Sequence, residues 1–209
     1  MIKTGFQTGS MLTTHDSILN MRAFIAINLS EKIKNKIAEL ENDLKKCDLA
    51  FRWVKPENLH LTLKFLGNVN EEQVTEIKKI IAKVTGRFTA FETGFNGFSF
   101  FPNETRPKVF FISIDKEDFL KSIAKELGKE LETLGFEKEN LSAGGQGRFK
   151  SHITLARIKG LQNIEYFKEK IKNIQLDAGF PINEIILYKS TLAKEGPIHG
   201  KIFKSNLTA

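Results

Sequence analysis

Short apolar runs alternate along this chain with stripes of apolar residues at helical spacing. Ala23-Phe24-Ile25-Ala26-Ile27 is a continuous run of the length of a buried strand. Ser30 stands where a helix N-cap is needed, and Ile33, Ile37, Leu40 and Leu44 follow at spacings of four, three and four. Residues 51–54 form a short strand stopped by Pro56, and residues 59–66 alternate strictly, as a half-buried strand does. Asn70 with Gln73 resembles a capping box, opening a helix through Val74, Ile77, Ile81 and Val84. Residues 88–101, rich in Phe and punctuated by Gly, read as one or two irregular strands, and residues 108–114 as another strand.

The same order then returns. Phe119, Ile123, Leu127 and Leu131 mark a helix over residues 118–134, closed by Gly135. A strand over residues 151–158 follows a glycine-rich loop at residues 143–147. Ile164, Phe167 and Ile171 mark a further helix, and residues 184–188 and 200–207 two more strands. Strand, helix, strand, helix thus occurs twice, too few copies for a solenoid but the signature of a duplicated α+β unit whose two lobes face across a cleft. Residues 1–20 are polar and Ser/Thr-rich, hold no apolar core of signal-peptide length, and are expected to be an N-terminal extension. Residues 21–209 are expected to form one bilobal domain.

Composition narrows the class. At 209 residues, 41% hydrophobic and 27% charged, the chain is globular and large enough to bury a core without staples. No run approaches the ~18 apolar residues of a membrane span. A single cysteine, Cys47, excludes an internal disulfide framework and a cysteine-cluster zinc site, and points to a reducing cytoplasm. The +7 net charge favours a polyanionic partner. A monomer is the default, because neither lobe shows a spare apolar face.

Chemistry enters with the histidines, of which there are four. Two share one context, His60-Leu61-Thr62-Leu63 and His152-Ile153-Thr154-Leu155. On a strand, His60 and Thr62 project from one face and Leu61 and Leu63 from the other, and the second string does the same. Two imidazoles near their ordinary pKa of ~6.5 can supply one proton donor and one acceptor. Two threonine hydroxyls can donate to phosphoryl oxygens. The pattern suits phosphoryl chemistry without metal or cofactor, since no further His, Cys, Asp or Glu stands at ligand spacing beside either histidine. A lone His-x-Thr strand would be ordinary sheet; the matched pair is what argues for catalysis.

The flanks carry a resemblance. Phe51-Arg52-Trp53-Val54-Lys55-Pro56-Glu57-Asn58-Leu59-His60-Leu61-Thr62-Leu63-Lys64-Phe65-Leu66-Gly67 resembles the first signature of the 2H phosphoesterase superfamily. Arg148-Phe149-Lys150-Ser151-His152-Ile153-Thr154-Leu155-Ala156-Arg157 resembles the second. Met21-Arg22-Ala23-Phe24-Ile25-Ala26-Ile27 and Tyr188-Lys189-Ser190-Thr191-Leu192 are similar to further segments of the RNA 2′,3′-cyclic phosphodiesterases, also called 2′-5′ RNA ligases. The resemblance implies an α+β, duplicated bilobal fold, two antiparallel sheets facing across a central cleft with helices outside. It also implies hydrolysis of RNA 2′,3′-cyclic phosphate ends to 2′-phosphates. His60 would be the proton donor and His152 the acceptor, while Thr62, Thr154 and Arg157 would bind substrate. In reverse, the same site would join a 5′-hydroxyl to the cyclic phosphate. A small cyclic nucleotide, an ADP-ribose cyclic phosphate, or RNA binding without chemistry are the alternatives.

Several residues stay ambiguous at this level. Strict alternation puts Arg157 on the face opposite His152, so it reaches the cleft only if the strand bends, twists or ends. By the same rule Lys64 shares the His60 face, as a cleft charge or a solvated lysine. Ser151 replaces the family's usual proline, and His199 stands near a usual tyrosine and is expected on the surface. His15 has no assigned role. Arg148 and the glycine-rich loop could approach RNA backbone. Phe95, Phe98, Phe100 and Phe101 are expected to serve mainly as core, with base stacking the alternative.

Overall fold

The computed structural model describes residues 20–136, 149–194 and 196–209; the glycine-rich loop, Arg148, His15 and nearly all of the N-terminal extension lie outside them. In chain order the elements are β1 (Met21–Asn28), α1 (Glu31–Lys45), β2 (Phe51–Trp53), β3 (His60–Val69), α2 (Glu71–Thr85), β4 (Phe91–Thr93) and β5 (Phe95–Phe101). They continue with β6 (Val109–Ile114), α3 (Glu117–Glu132), β7 (His152–Ile158), α4 (Ile164–Lys172), β8 (Phe180–Ile182), β9 (Glu184–Ala193) and β10 (Gly196–Asn206). A 3₁₀ turn at Pro56–Asn58 links β2 to β3.

Local chemistry sets these boundaries. The Ser30 hydroxyl accepts from the Ile33 N–H and starts α1. Asn70 and Gln73 exchange side-chain and backbone bonds of 2.8 and 3.0 Å, a complete capping box for α2. Past α3, Gly135 takes a φ of +81°, and the next N–H, that of Phe136, returns to the Leu131 carbonyl. β8 escapes the sequence pattern because it is three residues long and contains Pro181; it pairs with β4 in a two-stranded sheet of its own among the described residues. β9 and β10 run further than the apolar pattern, pairing from Glu184–Asn206 out to Ala193–Gly196. Backbone hydrogen bonds carry that hairpin into a stretch whose side chains are exposed.

The chain is α+β with antiparallel sheets, but the two repeats are not separate sheets. One path runs β10-β9-β1-β3-β7-β6-β5, with β2 added beside β7. The two motif strands, β3 and β7, meet at the register pair of Leu61 with Ile153, next to the pairing of β2 with β7. Each motif strand thereby covers part of the other's otherwise open edge. Leu61, Leu63, Ile153 and Leu155 pack into one core with Ile37 and Leu44 of α1, Ile77 and Ile81 of α2, Ile123 and Leu127 of α3, and Phe167 of α4. Each such buried side chain contributes roughly 1.5–3 kcal/mol. The helices thus cover the leucine face, and the histidine face is left open to a ligand.

Candidate active site

The seam between β3 and β7 brings the two motifs together. Leu61 opposes Ile153 in antiparallel register, so one step either way sets His60 across from Thr154 and Thr62 across from His152. Each imidazole is fixed in the same manner. His60 Nδ1 lies 2.7 Å from the Asn58 carbonyl oxygen, and His152 Nδ1 lies 2.8 Å from that of Lys150. A carbonyl only accepts, so Nδ1 donates in both rings and Nε2 is left for chemistry.

Aromatic rings back both histidines. Phe24 of β1 lies 4.8 Å from the His60 ring and stacks on Tyr188 at 5.1 Å. Phe111 of β6 and Phe101 of β5 lie 5.2 and 4.9 Å from the His152 ring. Of the four phenylalanines that could have stacked bases, only Phe101 meets the site. Phe100 is buried, Phe98 stacks on Phe110, and Phe95 packs on Phe180.

Burial pushes the His60 imidazole down to about 4; its bond to Asn58 opposes the shift, while positive charge at His199, His152 and Lys34 adds to it. Burial likewise lowers His152, against its bond to the Lys150 carbonyl and with the Lys150 ammonium reinforcing it. That ammonium lies 4.8 Å from the Phe111 ring centre, held by a cation–π contact beside the site. Ser151 is 1% exposed and its hydroxyl donates to the Ile114 carbonyl, so the residue standing for proline ties the start of β7 to β6.

Two β-bulges overturn the alternation argument for Lys64 and resolve it for Arg157. On β3, Thr62 pairs with Ala26 and Lys64 with Ile25, which leaves Leu63 as an extra residue. Lys64 therefore sits opposite core Ile25 and is 2% exposed, not on the histidine face. The next residue, Phe65, comes onto that face opposite Phe24 and is 55% exposed. On β7, Thr154 pairs with Phe111 and Ala156 with Phe110, so Leu155 is extra. Arg157 then pairs with Val109, two positions from Phe111, and shares the face of His152 and Thr154. The bulges fall at equivalent places, so the fifth residue after each histidine, Phe65 or Arg157, projects beside it.

His199 also departs from its expected place. It lies on β10 opposite Ser190, with its ring 4.9 Å from Phe24 and 5.3 Å from His60. Burial lowers its pKa, and its Nδ1 is buried without a hydrogen-bond partner among the described residues. It is part of the site wall rather than a surface histidine. The β9–β10 hairpin that brings it there is held to the 3₁₀ turn by the Asn58 side chain, whose Nδ2 donates to the Pro197 carbonyl at 2.9 Å. Among the described residues, no group of three or more His, Cys, Asp or Glu side chains is placed to hold a metal ion. No described helix is long and apolar enough to cross a membrane.

An α+β sheet presenting two His-x-Thr pairs from one face is the arrangement of the phosphoesterases built on paired histidines. Comparison with known proteins agrees. The model of the family LigT like Phosphoesterase matches residues 27–111. The RNA 2′,3′-cyclic phosphodiesterase of Thermotoga maritima is 33% identical over 189 residues, 88% of this chain and 94% of that protein. The protein of the same name from Methanocaldococcus jannaschii is 33% identical over 181 residues, covering 86% and 96%. Among solved structures, TT0787 of Thermus thermophilus superposes with a TM-score of 0.72 at 28% identity, over 90% of this chain and 98% of that one. Apo LigT of E. coli gives 0.71 at 22%, over 91% and 99%, a likeness of fold. The chain belongs to the RNA 2′,3′-cyclic phosphodiesterase family of LigT-like phosphoesterases.

Proposed function

We propose that this protein hydrolyses 2′,3′-cyclic phosphate ends of RNA to 2′-phosphate ends, with residues 21–209 acting as one domain whose two halves flank the substrate cleft. The observation that carries the reading is the matched fixation of two imidazoles. Both Nδ1 atoms bond to carbonyls two residues upstream, on strands that meet at Leu61 and Ile153. A binding module has no need of two free Nε2 atoms beside two threonines.

In the proposed reaction, His152 Nε2 takes a proton from water as the water oxygen attacks phosphorus. The bond from phosphorus to the 3′ oxygen breaks, and that oxygen takes the proton carried by His60 Nε2. The Thr62 and Thr154 hydroxyls donate to the non-bridging oxygens, and the Arg157 guanidinium adds positive charge on the same face. Burial and neighbouring cations disfavour charge on His60 while the site is empty. A bound phosphate anion reverses that balance and favours the imidazolium needed for proton donation. The mechanism needs no metal or other cofactor. With a 5′-hydroxyl attacking in place of water, the same groups would make a 2′-5′ linkage.

The deciding experiment is product analysis on an oligoribonucleotide ending in a 2′,3′-cyclic phosphate. A 2′-phosphate product, formed equally in the presence of a chelator, is expected. A 3′-phosphate product would reverse the assigned leaving group, and chelator-sensitive turnover restored by a divalent ion would remove the two-histidine mechanism.

A further inference from the structure

Arg52 plays no part in the reaction as described, yet the fold places it on the reactive face. It is the register partner of Arg157 across β2 and β7, while its neighbours Phe51 and Trp53 pack into the core. Both arginines are exposed, and neither guanidinium has an ion-pair partner among the described residues. Arg87, by contrast, is held by Glu126 and Glu130. Like charges set directly opposite on neighbouring strands repel and destabilise the pair. Such a pair becomes favourable when an anion lies between or above the two groups.

Position says which anion. His152, Thr154 and Arg157 follow one another along the open face of β7, and Arg52 continues that line across to β2. The Arg52 Nη2 atom lies 3.2 Å from where a Cβ on Gly196 would stand, so the side chain extends to the tip of the β9–β10 hairpin. Gly196 itself has a φ of +124°, a conformation that excludes most side chains and leaves this space to the guanidinium. The positive face thus runs past the histidines and threonines toward the hairpin, further than one phosphate requires.

We infer that Arg52, together with Arg157, holds the phosphodiester joining the terminal nucleotide to the strand on its 5′ side, so that the site takes RNA ends in preference to mononucleoside cyclic phosphates. This assignment rests on the hydrolase reading above and adds a second phosphate subsite to it.

The test compares kcat/KM on three substrates for wild type, Arg52→Ala and Arg52→Lys. The substrates are adenosine 2′,3′-cyclic phosphate, a diadenosine ending in the same cyclic phosphate, and that dinucleotide with an uncharged methylphosphonate as its internal linkage. Wild type is expected to favour the charged dinucleotide over the methylphosphonate by roughly 10- to 100-fold, the scale of one charge-assisted contact. Arg52→Ala should abolish most of that ratio and Arg52→Lys should recover part of it. A ratio that survives Arg52→Ala, or an equal loss on all three substrates, overturns the assignment. A wild type indifferent to the linkage charge overturns it as well, even if the variants fail to fold. Absence of turnover on every substrate would instead defeat the hydrolase reading itself.

Discussion

Two backbone carbonyls decide what the two imidazoles can do. By accepting from Nδ1, the carbonyls of Asn58 and Lys150 hold each ring in one tautomer and aim Nε2 at the open face. Replacing His60 or His152 with alanine should lower kcat by roughly 10²–10⁴ in a protein that still unfolds in one cooperative thermal transition. Unchanged turnover in either variant would remove that residue from the mechanism. The pH dependence follows from the shifts. His60 must be charged and His152 neutral, and kcat/KM reports the free enzyme. With His60 lowered to about 4 and His152 lowered from its ordinary 6.5, the productive species is most populated on the acid side of neutrality. The kcat/KM profile should therefore be bell-shaped, with its maximum below pH 6.5; a maximum well above pH 7 would contradict the assigned roles. His199 contributes through its charge on His60, so His199→Tyr should raise the His60 titration midpoint measured by NMR.

At the scale of elements, the caps and helix faces follow from residue type, whereas the bulges do not. Ser30, the Asn70–Gln73 box and Gly135 each act through atoms within five residues of themselves, so the sequence pattern locates them. A bulge arises from pairing with a distant strand. Leu63 and Leu155 look like ordinary members of an alternating run until β1 and β6 are laid beside them. Alternation alone therefore puts Lys64 on the wrong face and leaves Arg157 undecided. α1 carries a further departure from its periodic stripe. Glu41, 1% exposed, lies among Ile37 and Leu44, and burial raises its carboxyl to about 7 against the opposing influence of Lys45. A raised carboxyl contributes stability that is present at low pH and lost as pH rises from the unfolded value of 4.5 through 7. Glu41→Gln should accordingly stabilise the protein at pH 8, by about 1–3 kcal/mol in denaturant unfolding, with the gain shrinking toward pH 4.5. No gain at pH 8 would show that water or Lys45 compensates the buried charge.

For the whole molecule, function depends on a narrow seam. The motif strands β3 and β7 meet at one register pair, β2 adds pairs to β7 beside it, and the β9–β10 hairpin reaches across the seam to Asn58 and Arg52. The buried imidazoles also mark the stability of the entire fold. Their folded pKa values lie below 6.5, so between that value and about 4 the unfolded chain binds more protons than the folded one. Their contribution is complete above pH 6.5 and is lost as pH falls. Melting temperature should decline from about pH 7 toward about pH 4.5, and a His60→Gln/His152→Gln double variant should show a shallower decline. Equal slopes would mean that these rings are solvated in the free protein. A bound phosphate should steepen protection at the acid end, because the anion stabilises the charged imidazoles.

Features legible in the sequence are local or repeated: the order of strands and helices, their caps, the two His-apolar-Thr-Leu strings and the family they resemble. Those features depend on residue type and on spacing within a turn or a strand. Which side chains share a face, and which remote residues join them, is settled by tertiary pairing. Arg157 enters through the bulge at Leu155, His199 through the pairing of β9 with β1 that carries the β9–β10 hairpin beside His60, and Arg52 through the pairing of β2 with β7. Each of these depends on hydrogen bonds between strands far apart in the chain, and a one-residue slip in such a pairing turns a side chain from core to cleft.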